Sequence, residues 1–342
     1  MKLVLDEEQR QLQESVRSFL RAASPLSKAR EGHDPRVHAR LNGELGLSGL
    51  IVPEEYGGAG AGLAELAVVL EETGAALLPG PFLATAFAAI ALSATPDKEL
   101  LSGIADGRLA ATLGLPAGDE ITCAGTTAHG TLPQVLSGME ADVLVTPAAG
   151  DGGPVVIAVE LTAPGVTRTA LDTLDLTRGQ ARVALDGAPC KVLGPRADGV
   201  LERVCVALAA EQLGVMRAAL DAIVAYAKIR VAFGRYIGSY QGVKHKLADM
   251  HGKLEQAESI VRYAAWAADE APAELPEAAA LAQAYVGRAC FEVARDHLLL
   301  HGGIGYTWEH DAHLFYKRAK ADEVLLGPPR IHRARLAELL EL

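Results

Sequence analysis

The stretch Arg230-Val-Ala-Phe233-Gly234-Arg-Tyr-Ile237-Gly-Ser-Tyr240-Gln241-Gly-Val-Lys244-His-Lys-Leu-Ala-Asp249-Met250 decides how this chain is read. It follows a long apolar segment of helical spacing and runs into a second helix. Three of its side chains have distinct chemistry. The planar Arg230 guanidinium is a fixed cation suited to a pyrophosphate. The Phe233 ring offers a stacking face. The Gln241 amide can donate and accept at once. The structural alternative is a corner between two helices, with Arg230 merely solvated.

Three other stretches bear on that choice, in chain order. Met1 to Leu20 reads MKLVLDEEQRQLQESVRSFL. Leu47-Ser-Gly-Leu50-Ile-Val-Pro53-Glu54-Glu-Tyr56-Gly57-Gly58-Ala-Gly60 is a Gly-rich loop, and His301-Gly302-Gly303-Ile-Gly305-Tyr306-Thr-Trp308-Glu309-His310-Asp311 is a late Gly-rich turn. Together the four stretches resemble the acyl-CoA dehydrogenase family. They match its N-terminal helix, its G-x-x-x-P-E-x-Y-G-G-x-G loop, its R-x-x-F-G-x-x-I-x-x-(F/Y)-Q signature and its late glycine turn. The resemblance covers nearly the whole chain and is weakest over 111–195. It implies a mixed α and β fold: a helical N-terminal domain (1–110), a small β-barrel or sheet in the middle (111–195) and a C-terminal four-helix bundle (196–342). It also implies that FAD is the cofactor. Arg230, Phe233 and Gln241 would grip it across a subunit interface, with Tyr240 at the aromatic position and Gly302 and Gly303 in the late turn.

Composition narrows the functional classes. The chain has 342 residues, 50% hydrophobic and 22% charged, enough for more than one domain. Aromatics are only 5%, and Ala and Leu dominate, which suits closely packed helices. A net charge of −11 argues against a nucleic-acid partner. No basic run suggests a membrane surface. An anionic ligand such as coenzyme A would need local Arg and Lys, because distant charges are screened beyond roughly 8–10 Å. Cys123, Cys190, Cys205 and Cys290 are scattered without metal-ligand spacing and read as reduced thiols, mostly buried, of a cytoplasmic protein. The start MKLVLDEEQR lacks the features of a signal peptide. No apolar run reaches the ~18 residues of a membrane span.

Periodicity places the elements. Leu12, Val16, Phe19 and Leu20 form a helical stripe after Asp6. Helices are also expected over Asp34–Leu45, Leu63–Glu72 and Phe82–Leu92, the last buried. Glu71-Glu72 is expected on a solvated face. Val143–Val145, Val155–Val159, Thr167–Ala170 and Ala181–Leu185 are β-prone runs separated by turn residues, the pattern of a small antiparallel sheet or barrel. Gly150-Asp-Gly-Gly-Pro154 is a turn; no Lys-Ser/Thr or helix follows it, so it is not a phosphate loop. Leu201, Val204, Leu208, Val215, Leu220, Ile223 and Ala227 recur at helical spacing. Further helices are expected over about 243–268, 277–300 and from Arg330 onward, the bundle pattern.

The reaction implied by the resemblance needs a base. A carboxylate removes the α-proton of an acyl-CoA, and the β-hydrogen leaves as hydride to the flavin. Counting without gaps from Gly302-Gly303, the position of the usual Glu is Leu326. The second position used in the family, counted back from Phe233, is Val204. Neither residue takes a proton. Glu202 lies two residues before Val204 and so faces a different side of the helix; Glu211, on the same helix, is more simply an exposed or ion-paired residue. The family's T-E-P-x-x-G-S-D-like segment against the flavin ring corresponds to Leu113-Gly-Leu-Pro116-Ala-Gly118-Asp119-Glu120, without the threonine or the Ser-Asp ending. The Gln three residues before the late Gly-Gly is Leu299. His245, His301 and His310 are expected in packing, hydrogen-bonding or capping roles. No metal site is expected.

The catalytic residues are therefore unknown, while Arg230, Phe233, Gln241, Gly302 and Gly303 remain. This pattern is similar to the short partner chains of heteromeric actinobacterial acyl-CoA dehydrogenases acting on steroid side-chain thioesters. It implies an α2β2 complex with a homologous subunit that supplies the base, and electron-transfer flavoprotein as acceptor. Two alternatives stand beside it: a homomeric enzyme with its base relocated to Glu202 or Glu211, and a flavin-free scaffold subunit.

Overall fold

The structure, a computed structural model, describes residues 3–115 and 120–342. Helix α1 (Glu7–Ala23) starts at a capping box: the Gln9 amide donates to the Asp6 carboxylate, and the Asp6 amide donates to the Gln9 side chain. Asp34 caps α2 (Pro35–Leu45), which ends at Gly46 in the left-handed region. Then come α3 (Leu63–Ala75), α4 (Phe82–Ala94) and α5 (Lys98–Ala105). Strands β1 (Ala111–Leu113), β2 (Ile121–Ala124), β3 (Thr127–Leu136), β4 (Val143–Gly150), β5 (Gly153–Glu160), β6 (Val166–Ala170), β7 (Gln180–Pro189) and β8 (Lys191–Pro195) follow. The chain then runs through α6 (Val200–Ile229), the short strands β9 (Val231–Ala232) and β10 (Arg235–Tyr236), α7 (Gln241–Glu270), α8 (Leu275–Leu300), α9 (Ala312–Leu325) and α10 (Pro329–Leu339). This is the expected mixed fold: a helical N-terminal region, a central β-sheet domain and a C-terminal helical domain.

Two compact units form, each from separated segments. One takes Glu31–Gly62 and Pro79–Val204, and so holds α2, α4, α5 and the whole eight-stranded sheet. The strand order is β6-β7-β3-β2-β4-β5-β8, with β1 also paired to β4. Most pairings are antiparallel, as expected, but β1 and β2 both run parallel to β4. They meet it at Val143–Val145 and at Ala149–Gly150, so they act as two halves of one interrupted strand along a single edge. Ile121, Leu132, Leu144, Ile157, Val159 and Val183 fill the core of this unit. Helix α4 packs against β1 and is buried on every face from Phe82 to Leu92, which explains a sequence apolar there but for Thr85, whose hydroxyl donates to the Ala111 carbonyl at 3.1 Å.

The second unit takes the segment ending at Arg30, Leu63–Leu78 and Cys205–Leu342. Helix α8 packs on α7, α9 and α10, while α3 packs on α1 and α7. Helices α3 and α6 meet backbone to backbone through reciprocal glycines. A Cβ on Gly74 would collide with the Glu211 carbonyl, and a Cβ on Gly214 with the Glu71 carbonyl. Glu71-Glu72 departs from expectation: Glu71 is 1% exposed and Glu72 is also buried. Helix α3 is covered on all sides from Leu66 to Gly74, so its charged pair has no solvated face to occupy. Arginines from three helices neutralise the pair instead. Arg17 on α1 clasps Glu72 through Nε and Nη2 at 2.9 and 2.7 Å. Arg262 on α7 pairs with Glu71, and Arg217 on α6 approaches it at 3.7 Å. Burial still pushes the Glu71 carboxyl upward, with Arg262 opposing. Helix α9, carrying buried Arg318, Asp322 and Glu323, is an element that the apolar pattern did not reveal.

Candidate functional site

The Arg230 stretch folds as a projecting hairpin. Helix α6 ends as the Arg230 amide donates to the Tyr226 carbonyl at 2.9 Å. Strands β9 and β10 pair Ala232 with Arg235 and Val231 with Tyr236. The two-residue turn between them places Phe233 at φ +49° and Gly234 at φ +80°, the signs a type I′ turn demands. Glycine tolerates that conformation, but phenylalanine rarely adopts it. The Phe233 ring is 98% exposed, so burial does not account for its presence there. Arg230 is exposed and pairs with no carboxylate among the described residues. Gln241 opens α7, exposed, with its amide 3.5 Å from the His245 ring. Tyr240 is engaged internally: its hydroxyl donates to the Ala232 carbonyl at 2.9 Å, and the Arg235 guanidinium lies 3.8 Å over its ring. It braces the hairpin from below.

Gly302 and Gly303 open a short 3-10 turn, Gly302–Tyr306, after α8. Gly302 has φ +68°, which favours glycine. Gly303 has no such constraint, and a Cβ there would meet nothing within 4 Å. Nothing inside the chain therefore requires glycine at 303, whereas the close approach of an external group would. Gly305 is the opposite case, pressed against the Leu298 carbonyl and His301. An unpaired cation, a ring held out in a strained turn, an exposed amide and a vacant glycine surface together fit a large anionic, aromatic cofactor such as FAD.

The two positions that counting from the motifs assigned to a base carry apolar side chains. Val204 is 0% exposed in α6. Leu326 sits just past α9, its carbonyl accepting from His332 Nε2 at 3.0 Å. Glu202 is half-buried in the first turn of α6. Glu211 is buried, and its Oε1 accepts from Arg318 Nη1 at 2.8 Å, with Arg318 itself 0% exposed. A carboxylate bonded to a buried guanidinium and kept from solvent suits scaffolding rather than proton transfer. A cavity of about 540 Å³ lies by Arg17, Leu20, Glu72, Ala75 and Arg217. Its arginines 17 and 217 already face carboxylates. Of the segment expected against a flavin ring, Leu113 ends β1 and Gly114 packs near Leu132 and Leu144; Pro116–Asp119 lie outside the described residues. No group of three His, Cys, Asp or Glu among the described residues could hold a metal, and no helix of theirs is long and apolar enough to cross a membrane.

A cluster of rings lies behind the glycine turn that sequence reading had treated as separate histidines. His301 meets Tyr226 at 4.5 Å, His297 at 4.5 Å and His310 at 4.3 Å between ring centroids. His297 Nδ1 donates to the Ala219 carbonyl at 2.7 Å, and burial drives its pKa down to about 3. Arg30 holds the far side, donating to the His310 carbonyl at 2.9 Å and pairing with Asp311 at 2.7 Å. The only signal for this cluster in the sequence is spacing: Tyr226 stands four residues before Arg230, and His301 directly before Gly302. Cys123 and Cys190, distant in sequence, also meet, with 3.5 Å between their sulfurs.

The pattern of the "Acyl-CoA dehydrogenase, N-terminal domain" matches residues 6–107, and that of the "Acyl-CoA dehydrogenase, C-terminal domain" matches residues 197–340. Over 339 residues the chain is 36% identical to "Acyl-CoA dehydrogenase IpdE2" of Mycolicibacterium smegmatis, covering 97% of this chain and 98% of that protein. Among solved structures, a chain of the ChsE4-ChsE5 complex from Mycobacterium tuberculosis superposes with TM-score 0.92 at 28% identity, covering 100% of this chain and 99% of that one. A chain of the Tcur3481-Tcur3483 steroid ACAD superposes with TM-score 0.90 at 30% identity, covering 98% of each.

Proposed function

Since the chain belongs to the acyl-CoA dehydrogenase family, we propose that it is the base-lacking subunit of a heteromeric, FAD-dependent member of that family. One observation carries this reading. The groups suited to a flavin are presented outward on Arg230, Phe233, Gln241, Gly302 and Gly303, while both positions for the base hold apolar side chains, Val204 and Leu326. A homologous partner chain supplies the glutamate and the ring-facing segment. This chain completes the FAD site from across the interface, Arg230 pairing with pyrophosphate oxygens by charge-assisted bonds and Phe233 stacking. When bound, FAD supplies hydride acceptance; the residues of this chain orient it. The complex takes two copies of each chain, acts on the CoA thioester of a steroid side chain and passes its electrons to an electron-transfer flavoprotein. Two related structures named as two-component or steroid enzymes support the assembly and the substrate class.

The test is purification with and without a longer homologous subunit, with native mass and flavin count per chain. The expected outcome is flavin and acyl-CoA oxidation only in the co-expressed assembly, and flavin occupancy falling severalfold in Arg230→Ala without loss of assembly. Robust turnover by this chain alone favours a homomer with a relocated base. Full flavin occupancy in Arg230→Ala removes Arg230 from the site.

A further inference from the structure

We propose that Tyr226 is a positioning residue, whose ring, packed in series with His301 and His310, sets the Gly302–Tyr306 turn against the start of the Arg230 string so that the two segments act as one flavin-facing surface. The inference rests on the reading that both segments face FAD. Tyr226 touches both of them. Its backbone carbonyl accepts the Arg230 amide at 2.9 Å, fixing where the string leaves α6. Its ring meets His301, the residue immediately before Gly302, at 4.5 Å with an interplanar angle of 33°.

The turn itself has little else to hold it. Gly302, Gly303, Ile304 and Tyr306 are exposed, and only Gly305 is buried. Its local bonds, Thr307 amide and hydroxyl to the Ile304 carbonyl at 3.1 and 2.8 Å, shape it without anchoring it to another helix. The anchor is His301. Its Nδ1 donates to the His297 carbonyl at 2.8 Å, and His297 is tied in turn to the Ala219 carbonyl of α6. Helix α8 is thus fastened to α6 at two levels, His297 to Ala219 and His301 to Tyr226. His310, at 4.3 Å from His301, closes the opposite side and is itself held through Arg30. A ring–ring contact contributes about 0.5–1.5 kcal/mol beyond area burial. No hydrogen bond engages the Tyr226 hydroxyl among the described residues, so the ring is the working part.

Tyr226→Leu and Tyr226→Phe separate ring from hydroxyl. Two readouts apply: hydrogen exchange of the 302–307 peptide in the isolated chain, and the FAD dissociation constant of the co-purified assembly by flavin fluorescence. Tyr226→Leu is expected to speed exchange in that peptide and weaken FAD binding, each by about two- to tenfold, while Tyr226→Phe restores both. Native exchange in Tyr226→Leu overturns the positioning role. Faster exchange with native FAD affinity, while Arg230→Ala loses flavin, overturns the link from turn to cofactor and leaves the functional reading standing. Native affinity in both Tyr226→Leu and Arg230→Ala overturns that reading and this one together. Tyr226→Phe behaving as Tyr226→Leu removes the ring from the account.

Discussion

Single residues in this chain divide between those committed to the fold and those left free by it, and substitutions distinguish the two. Glu211 is committed. Replacing it with Gln removes the carboxylate that pairs with buried Arg318 at 2.8 Å, and breaking such a pair costs about 3–5 kcal/mol. Glu211→Gln is therefore expected to lower the denaturant midpoint steeply; near-native stability in urea titration would return Glu211 to the list of possible bases. Phe233 is free. Its positive φ costs on the order of 1–3 kcal/mol for a bulky residue, and its ring buries nothing in the isolated chain. Phe233→Asn, which tolerates the left-handed region, is expected to stabilise the isolated chain by about 1 kcal/mol while the assembly retains less flavin. A destabilised Phe233→Asn in thermal melts would show that the turn is not strained. Both residues were visible in the sequence, but their environments were not. The strings R-x-x-F-G and G-G-x-G marked the candidate site, whereas the pairing of Glu211 with Arg318 joins residues 107 apart with no local trace.

At the scale of elements, the crossing of α3 and α6 depends on Gly74 and Gly214. Gly214→Ala forces the helices apart at the Glu71 carbonyl. Overpacking of this kind costs about 1–3 kcal/mol, outweighing the helix propensity gained from Ala, about 1 kcal/mol. A melting temperature at or above wild type for Gly214→Ala would contradict the geometry. Helices with clean apolar stripes, such as α1, and the Ala-rich, mostly apolar α4 were legible in the sequence. Helix α9 was not, because Arg318, Asp322 and Glu323 occupy buried positions and break the stripe. Strand β3 was also hidden. Gly130 and Pro133 are poor strand residues, yet the sheet absorbs Pro133 at a register shift between Leu132 and Val135. Glu71-Glu72 misled for a related reason: a charged pair reads as surface unless its arginines, from three other helices, are known.

For the whole molecule, buried His297 is one group through which acid lowers stability. His297 has a folded pKa of about 3, below the ordinary 6.5, because burial disfavours its charged form. Below pH 6.5 the unfolded chain takes up a proton that the folded chain refuses. Stability is thus fully present above about pH 6.5 and is lost as pH falls toward 3, by about 2 kcal/mol at pH 5 from this group. Denaturant titrations at pH 7 and 5 should show that loss, and His297→Gln, which can still donate to Ala219, should reduce it by a similar amount. An unchanged pH slope in the variant would mean that His297 does not govern it. The overall architecture was legible because its four motifs are local. The interdigitation of the two units along the chain was not, since no composition change marks where one gives way to the other.

That interdigitation fixes an order of events during synthesis. The sheet-bearing unit has all its segments once Val204 has been made, whereas α1 and α3 belong with a segment that begins only at Cys205. Gly74 waits for Gly214, roughly ten seconds of translation at about 5–20 residues per second. Over that interval α1 and α3 have each other on the nascent chain, but α3 lacks its native partners α6 and α7. The third helix to emerge from the ribosome therefore cannot complete its packing until the sixth has been made, so the reciprocal glycine crossing closes only after the sheet-bearing unit has been synthesised.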